Sequence, residues 1–131
     1  MIVNQGTTVD WKAFLRKTRK GKSRFRRSPK EERTCDEIIF DSKAEMRHYE
    51  ELKLRKLWGE IKDFERQVPL DLAGVIWTVD FMVEGKEGSI WGEEVKGRYK
   101  GKFRQQALRE FRRNQKQVKR LYGLEVKLFE R

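Results

Sequence analysis

Two acidic residues and a lysine stand on neighbouring segments that are typical of β-strands. Asp80 interrupts the otherwise apolar segment 75–83, and Glu94 and Lys96 follow in segment 89–97. The short connection between the segments, EGKEG, predicts a hairpin. Because side chains alternate faces along a strand, Glu94 and Lys96 should project from the same side. A charge at Asp80 is costly unless it is paired or binds a metal. The pattern predicts a metal-dependent phosphodiester hydrolase.

The chemistry of such a site assigns a role to each residue. Asp80 and Glu94 are the predicted ligands of Mg²⁺, with the backbone carbonyl of Val95 as a third oxygen, and Mn²⁺ is expected to substitute. Magnesium prefers oxygen ligands and keeps several waters, so two carboxylates suffice when a phosphate completes the shell. Lys96 would orient the nucleophile and stabilise developing negative charge. The alternative is that Glu94 and Lys96 form a surface ion pair on an edge strand.

Glu45 is the third acid of interest. Residues 42–58 predict a helix, on which Glu45 shares an apolar arc with Tyr49 and Leu52. An acid within that arc should face the sheet and reach a metal or an attacking water. The alternative is a capping box, in which Glu45 bonds back to the helix start at Ser42. Spacing alone does not separate these two interpretations.

Three other polar residues receive weaker assignments. Gln67 could face the site or simply join the sheet, and the sheet is favoured. His48 is about one helical turn from Glu45, which favours a surface or packing contact over catalysis. Glu93 points away from Glu94, so it should be structural or solvent-facing.

Basic residues follow directly after Lys96 and are predicted to bind DNA. They can contact backbone phosphates on either side of a cut, in a manner sensitive to salt. The alternative is a solvated loop. The residues are Arg98, Lys100, Lys102 and Arg104.

Charge is distributed unevenly along the 131 residues, whose net charge is +11. Residues 1–34 contain 11 Lys/Arg and 3 acids, and residues 97–120 contain 10 and 1, whereas residues 35–96 contain 9 and 15. Basic flanks around an acidic centre suit phosphate binding at the edges and metal binding in the middle. A solvated basic surface is the alternative.

The length allows one domain with one modest core. We expect a partly flexible basic arm over residues 1–34, which lies on phosphates or serves as a solubilising tail, and a folded domain over 35–131. No apolar run is long enough to span a bilayer and no signal-peptide pattern opens the chain, so the expected location is cytoplasmic. A single Cys35 and a single histidine exclude an internal disulfide and a Cys/His zinc site.

The predicted fold class is α/β, with a mixed sheet flanked by helices. A short strand or helix lead-in covers residues 37–40. The main elements should be a helix over 42–58, strands over 61–68, 75–83 and 89–97, a helix over 103–122 and a strand over 124–129.

The motif series resembles the small phage and bacterial endonucleases of the PD-(D/E)xK superfamily. The residues that carry the resemblance lie at 40–54, 59–67, 79–81 and 93–97. The resemblance implies a restriction-endonuclease-like core of helix, three-stranded meander, helix and strand. It also implies that Asp80 and Glu94 bind the metal, that Lys96 is the catalytic lysine and that Glu45 is the helix-borne acid. Val79 stands where the motif's name has a proline.

Size and charge within that superfamily are similar to those of archaeal and phage Holliday junction resolvases, which read DNA shape as homodimers. The resemblance therefore implies branched DNA as the partner and a homodimer with two active sites. Another structure-selective or nicking nuclease, in phage DNA processing or transposition, is the first alternative. A non-catalytic basic nucleic-acid-binding protein, whose acids form sheet salt bridges, is the second.

Overall fold

The computed structural model describes residues 27–131. Most of the basic arm predicted over 1–34 therefore lies outside the described residues. A single 3₁₀ turn, Lys30–Arg33, falls within the predicted arm. Arg33 is buried there and donates from Nη1 to the carbonyl of Phe40 and from Nε to that of Ser28. Arg33, two residues before the boundary expected at residue 35, is thus packed against the folded body.

The secondary structure follows the order predicted for the folded body. No helix within residues 27–131 is long and apolar enough to cross a membrane. The elements are β1 (Thr34–Cys35), β2 (Ile38–Ile39), α1 (Lys43–Leu57), β3 (Ile61–Leu72), β4 (Val75–Gly85), β5 (Ile90–Lys96), α2 (Gly101–Tyr122) and β6 (Glu125–Glu130).

The main sheet has the strand order β3-β4-β5-β6. β3, β4 and β5 form an antiparallel meander, and β6 returns parallel to β5 after the crossover through α2. Leu52 of α1 packs on one face of the sheet against Phe81 and Val83. Phe111 and Val118 of α2 pack on the other face. The predicted α/β class, with a mixed sheet flanked by helices, is confirmed.

Helix ends follow local signals in the sequence. The hydroxyl of Ser42 accepts from the backbone N–H of Glu45, which satisfies one of the free donors at the start of α1. α2 ends at Gly123, whose φ of +69° is the left-handed conformation that glycine adopts without steric cost.

β3 continues past Pro69, whereas the sequence predicted that the strand would end there. The strand runs to Leu72, and Pro69 is buried opposite Thr78. Proline lacks an N–H and is tolerated where the strand lies at a sheet edge. β3 is an edge strand of this sheet, which is why the proline does not end it.

The faces of β3 and β4 exchange at Gln67 and Asp80. Phe64, which precedes Gln67 in β3, and Phe81, which follows Asp80 in β4, pack on the face of the sheet covered by α1. Val68, which follows Gln67, and Val79, which precedes Asp80, pack on the opposite face, covered by α2. Strict alternation would keep Val79 and Phe81 on one face. Gln67 has a φ of +50°, and the paired register passes from Arg66–Phe81 to Val68–Val79 without pairing Gln67 with Asp80.

A buried polar pair joins α1 to β5. Nε2 of His48 lies 2.6 Å from Oε1 of Glu93, and both side chains are 1% exposed. Trp91 Nε1 donates to the second Glu93 oxygen, which also lies 3.5 Å from Arg55. These partners hold the pKa of Glu93 below its usual value although burial alone would raise it.

We expect His48→Ala to lower the free energy of unfolding at pH 7 by about 3 kcal/mol, because removal of one partner leaves a buried carboxylate undercompensated. Lys56→Ala, which breaks the exposed pair with Asp63, should cost less than about 1 kcal/mol. Urea denaturation followed by circular dichroism measures both values. Equal losses in the two variants would contradict a structural role for the His48–Glu93 pair.

Candidate functional site

The site lies where β4 and β5 part. Phe81 and Glu93 are the last residues paired across the two strands, and beyond them side chains replace the ladder. The backbone N–H of Asp80 donates to Oε1 of Glu94 at 3.1 Å, and that of Val95 donates to Oδ2 of Asp80 at 2.8 Å. The two acids predicted as metal ligands are thus brought together by reciprocal bonds to each other's strand.

Lys96 follows on the same side of β5 as Glu94. Its ammonium lies 3.8 Å from Oε2 of Glu94, and its side chain is half-buried. The carbonyl of Lys96 accepts from the backbone N–H of Arg131, on the β6 side. Carbonyls alternate in direction along a strand, so we expect that of Val95 to point to the opposite side, toward β4. Val95 lines the same cleft as the two carboxylates.

Glu45 reaches the site from α1 and is only 5% exposed. Its carboxylate accepts from Nε2 of Gln67 at 2.7 Å, and the same amide lies 3.5 Å from Oδ1 of Asp80. The backbone N–H of Glu45 is capped by Ser42, so the helix start uses the main chain of this residue while its side chain turns to the sheet.

Gln67 is a site residue that the sequence assigned to the sheet. It links the acid of α1 to the acid of β4, and its left-handed backbone directs it there. Positive φ for a residue other than glycine cannot be read from the sequence. The available signal was an uncharged polar side chain just before the buried Val68.

The carboxylates of Glu45 and Glu94 are each repelled by that of Asp80. Burial, and then the charges of Asp80 and Asp41, raise the pKa of Glu45 to about 7. Burial and the charge of Asp80 also raise the pKa of Glu94 well above its usual value, although Lys96 opposes this shift. Carboxyl groups held together in this way form a site that favours a proton or a cation.

The site opens into a cleft of about 490 Å³. Besides the predicted residues, those that line the cleft include Asp41, Lys43, Trp77, Thr78 and Tyr99. None of these five was singled out from the sequence, since they lie on three separate segments that only the fold brings together.

The basic residues predicted to bind DNA follow Lys96 in the chain and are all exposed. Arg104 makes a two-pronged ion pair with Glu130, at 2.9 and 3.1 Å, so part of its charge is already compensated. The other three are Arg98, Lys100 and Lys102.

His48 and Glu93 stand apart from the cleft. His48 makes the packing contact that the sequence favoured, between the rings of Phe81 and Phe129, and it is not on the surface. Glu93 is structural as expected; the alternative that it faces solvent is wrong, because it is 1% exposed.

Comparison with known proteins places most of this fold in a single family. Residues 26–127 match the family described as "Protein of unknown function (DUF1064)". The chain belongs to this family. The matched range contains Glu45, Asp80, Glu94 and Lys96. No curated protein and no solved structure matches the chain.

In the presence of a chelator, we expect the stability of the protein to fall as the pH rises from about 4.5 to about 7. Folded Glu45 keeps its proton up to about pH 7, whereas a glutamate with the ordinary value of 4.5 ionises earlier. The folded state therefore binds more protons in this range, and stability decreases as they are released. The glutamine of the Glu45→Gln variant cannot ionise. Over the same pH range this variant should therefore lose roughly 2–3 kcal/mol less stability than the parent, at ~1.4 kcal/mol per pH unit.

Chemical denaturation at several pH values checks this prediction. Glu50→Gln is the matched control, because Glu50 is an exposed acid on the same helix. A pH profile of Glu45→Gln that coincides with the profiles of the parent and the control would contradict it.

Proposed function

We propose that the protein is a metal-dependent endonuclease that hydrolyses phosphodiester bonds of DNA. The observation that carries the proposal is the reciprocal bonding of Asp80 and Glu94 at the point where β4 and β5 part. It directs two carboxylates, a backbone carbonyl and a lysine into one cleft. The resemblance to the PD-(D/E)xK nucleases supports the same assignment, since it implies this order of strands and helices.

The donor set fits a magnesium ion. Within residues 27–131, no group of three or more His, Cys, Asp or Glu side chains is arranged as a metal site. In this proposal a metal would be held by Asp80, Glu94 and the carbonyl of Val95, with water and phosphate oxygens completing the shell, as Mg²⁺ accepts. Burial and the charge of Asp80 raise the pKa of Glu94, and a cation bound between the two carboxylates would oppose that shift. When bound, the ion would polarise a water and neutralise charge on the scissile phosphate.

Each side chain then has a defined task in the hydrolysis. Water adds to phosphorus and one P–O bond of the diester breaks. Lys96 donates N–H groups to the attacking water or to a non-bridging phosphate oxygen, and so stabilises the charge that develops there. Glu45, with a pKa near 7, can accept the proton that the water loses. Gln67 holds the Glu45 carboxylate in place through its 2.7 Å hydrogen bond.

Branched DNA is the substrate that we assign within this class. The net charge of +11 suits a ligand with many phosphates, and the resemblance extends to the Holliday junction resolvases. Symmetric cutting of a four-way junction needs two active sites, so this assignment includes a homodimer.

We expect Asp80→Asn and Lys96→Ala each to lower cleavage of a labelled four-way junction by at least ~100-fold, because each removes a group that acts on the transition state. Binding in the presence of a chelator should be retained. Lys62→Ala is the control, since Lys62 pairs with Glu84 outside the cleft. Gel assays with and without Mg²⁺ or Mn²⁺ measure both quantities, and binding without cleavage under either metal would refute the nuclease.

The choice of substrate is tested separately from the chemistry. Paired symmetric incisions confined to the junction, by a protein that light scattering shows to be a dimer, would support the resolvase. Cutting of a matched linear duplex at a similar rate would exclude it, and would leave the nicking or structure-selective nuclease as the function.

A further inference from the structure

The outward face of α2 carries a straight line of cations, which we name the outer basic stripe. At 3.6 residues per turn, these residues lie within about 30° of the direction opposite Phe111 and Val118, which pack on the sheet. All of them are exposed. The residues are Lys102, Arg109, Arg113, Lys116 and Arg120.

The stripe has no compensating acids within residues 27–131. The acid of α2 is Glu110, and it bonds to Gln106. Two of the three other cations of the helix are paired, since Arg104 binds Glu130 and Lys119 binds Glu125. Among residues 27–131, no ion pair within 4 Å involves a residue of the stripe. Like charges at i, i+3 and i, i+4 destabilise a helix, so the stripe lowers the stability of α2. An anionic partner that binds the stripe would offset this repulsion.

The stripe begins beside the candidate site and leads away from it. α2 starts five residues after Lys96, and the Arg104–Glu130 pair ties its first turn to the strand residue that is paired with Lys96. From Lys102 to Arg120 the helix rises about 27 Å at 1.5 Å per residue. One strand of B-DNA carries a phosphate every ~3.4 Å along the axis, so this length corresponds to about eight base pairs.

We propose that the outer basic stripe is a docking track for the phosphate backbone of one duplex arm. The track holds about eight base pairs, so that the strand at the end of the arm enters the cleft of Asp80 and Glu94. A bilayer is a poorer partner, because the apolar face of α2 is already packed against the sheet and cannot enter lipid. The track deepens the proposed function, on which the link to cleavage rests, but phosphate binding by the stripe does not require cleavage.

The test is the salt dependence of binding by the full chain in a chelator, where no cleavage occurs. The variant is Arg109→Gln, Arg113→Gln and Lys116→Gln combined. Its charge-matched control combines Lys53→Gln, Lys56→Gln and Lys62→Gln, three lysines that already have carboxylate partners. The probes are DNA hairpins with stems of 12 and 4 base pairs, followed by fluorescence anisotropy at several salt concentrations.

With the 12-base-pair stem, the stripe variant should reduce the slope of log K against log salt by about 2.7, at ~0.9 for each phosphate that a cation no longer neutralises. The control should reduce it by less than about 1, and so should the stripe variant on the 4-base-pair stem, which is too short to follow the track. Equal slopes for the stripe variant and the control on the long stem would overturn the proposal. Binding to phosphatidylserine vesicles that is as strong as binding to DNA, and that is weakened in the stripe variant, would also overturn it.

Thermal unfolding separates a binding role from a structural one. Removal of like charges should leave the melting temperature of the stripe variant unchanged or raise it, whereas a clear drop would show that the stripe is needed for folding. The two proposals also fail separately. If the stripe variant has a reduced salt slope but the protein shows no metal-dependent cleavage, the nuclease is refuted and the docking track is supported. If the protein cleaves DNA but the salt slope of the stripe variant is unchanged, the docking track is refuted and the nuclease is supported.

Discussion

The parting of β4 and β5 at Asp80 is the constraint on which the rest of the site depends. Two antiparallel strands normally satisfy their backbone groups in pairs, and an unpaired buried N–H is costly. Here the N–H groups of Asp80 and Val95 bond instead to the carboxylates of Glu94 and Asp80. The same contacts that close the ends of the ladder therefore hold two negative groups together. Burial, and then the nearby charge of Asp80, raise the pKa of Glu94.

The exchange of faces at Gln67 and Asp80 provides the space for this arrangement. Because β3 and β4 both change sides there, one part of the hairpin packs under α1 and the other under α2. The transition falls between the two cores, where a polar residue from α1 can meet polar residues from the strands. Glu45 and Gln67 occupy that position. Behind it, Glu93 fixes β5 to α1 through His48, while the next residue, Glu94, faces the cleft.

Local patterns predicted the elements well, because each depended on interactions within a few residues. The cap at Ser42, the glycine after Tyr122 and the hairpin connection between β4 and β5 all act over one turn of chain. The prediction that β3 ends at Pro69 failed because the position of a strand within a sheet is not a local property: β3 is an edge strand, which tolerates the proline. Gln67 lies in β3, as the sequence favoured, and its bond to Glu45 depends on a residue distant in the chain.

The sequence by itself determined which chemical groups are present and which of them share a strand face. Glu94 and Lys96 project together because alternation along a strand is a property of the backbone, and α2 is amphipathic because of the order of its residues. Only the tertiary structure decided that Glu45, Asp80 and Glu94, from three elements, meet in one cleft, and that Gln67 of a fourth element bonds to Glu45. It also decided that Glu93 binds His48 whereas Glu94, which is equally buried and chemically identical, lines the cleft. Packing against His48 on one side of the sheet, and strand separation on the other, distinguish these two neighbouring glutamates.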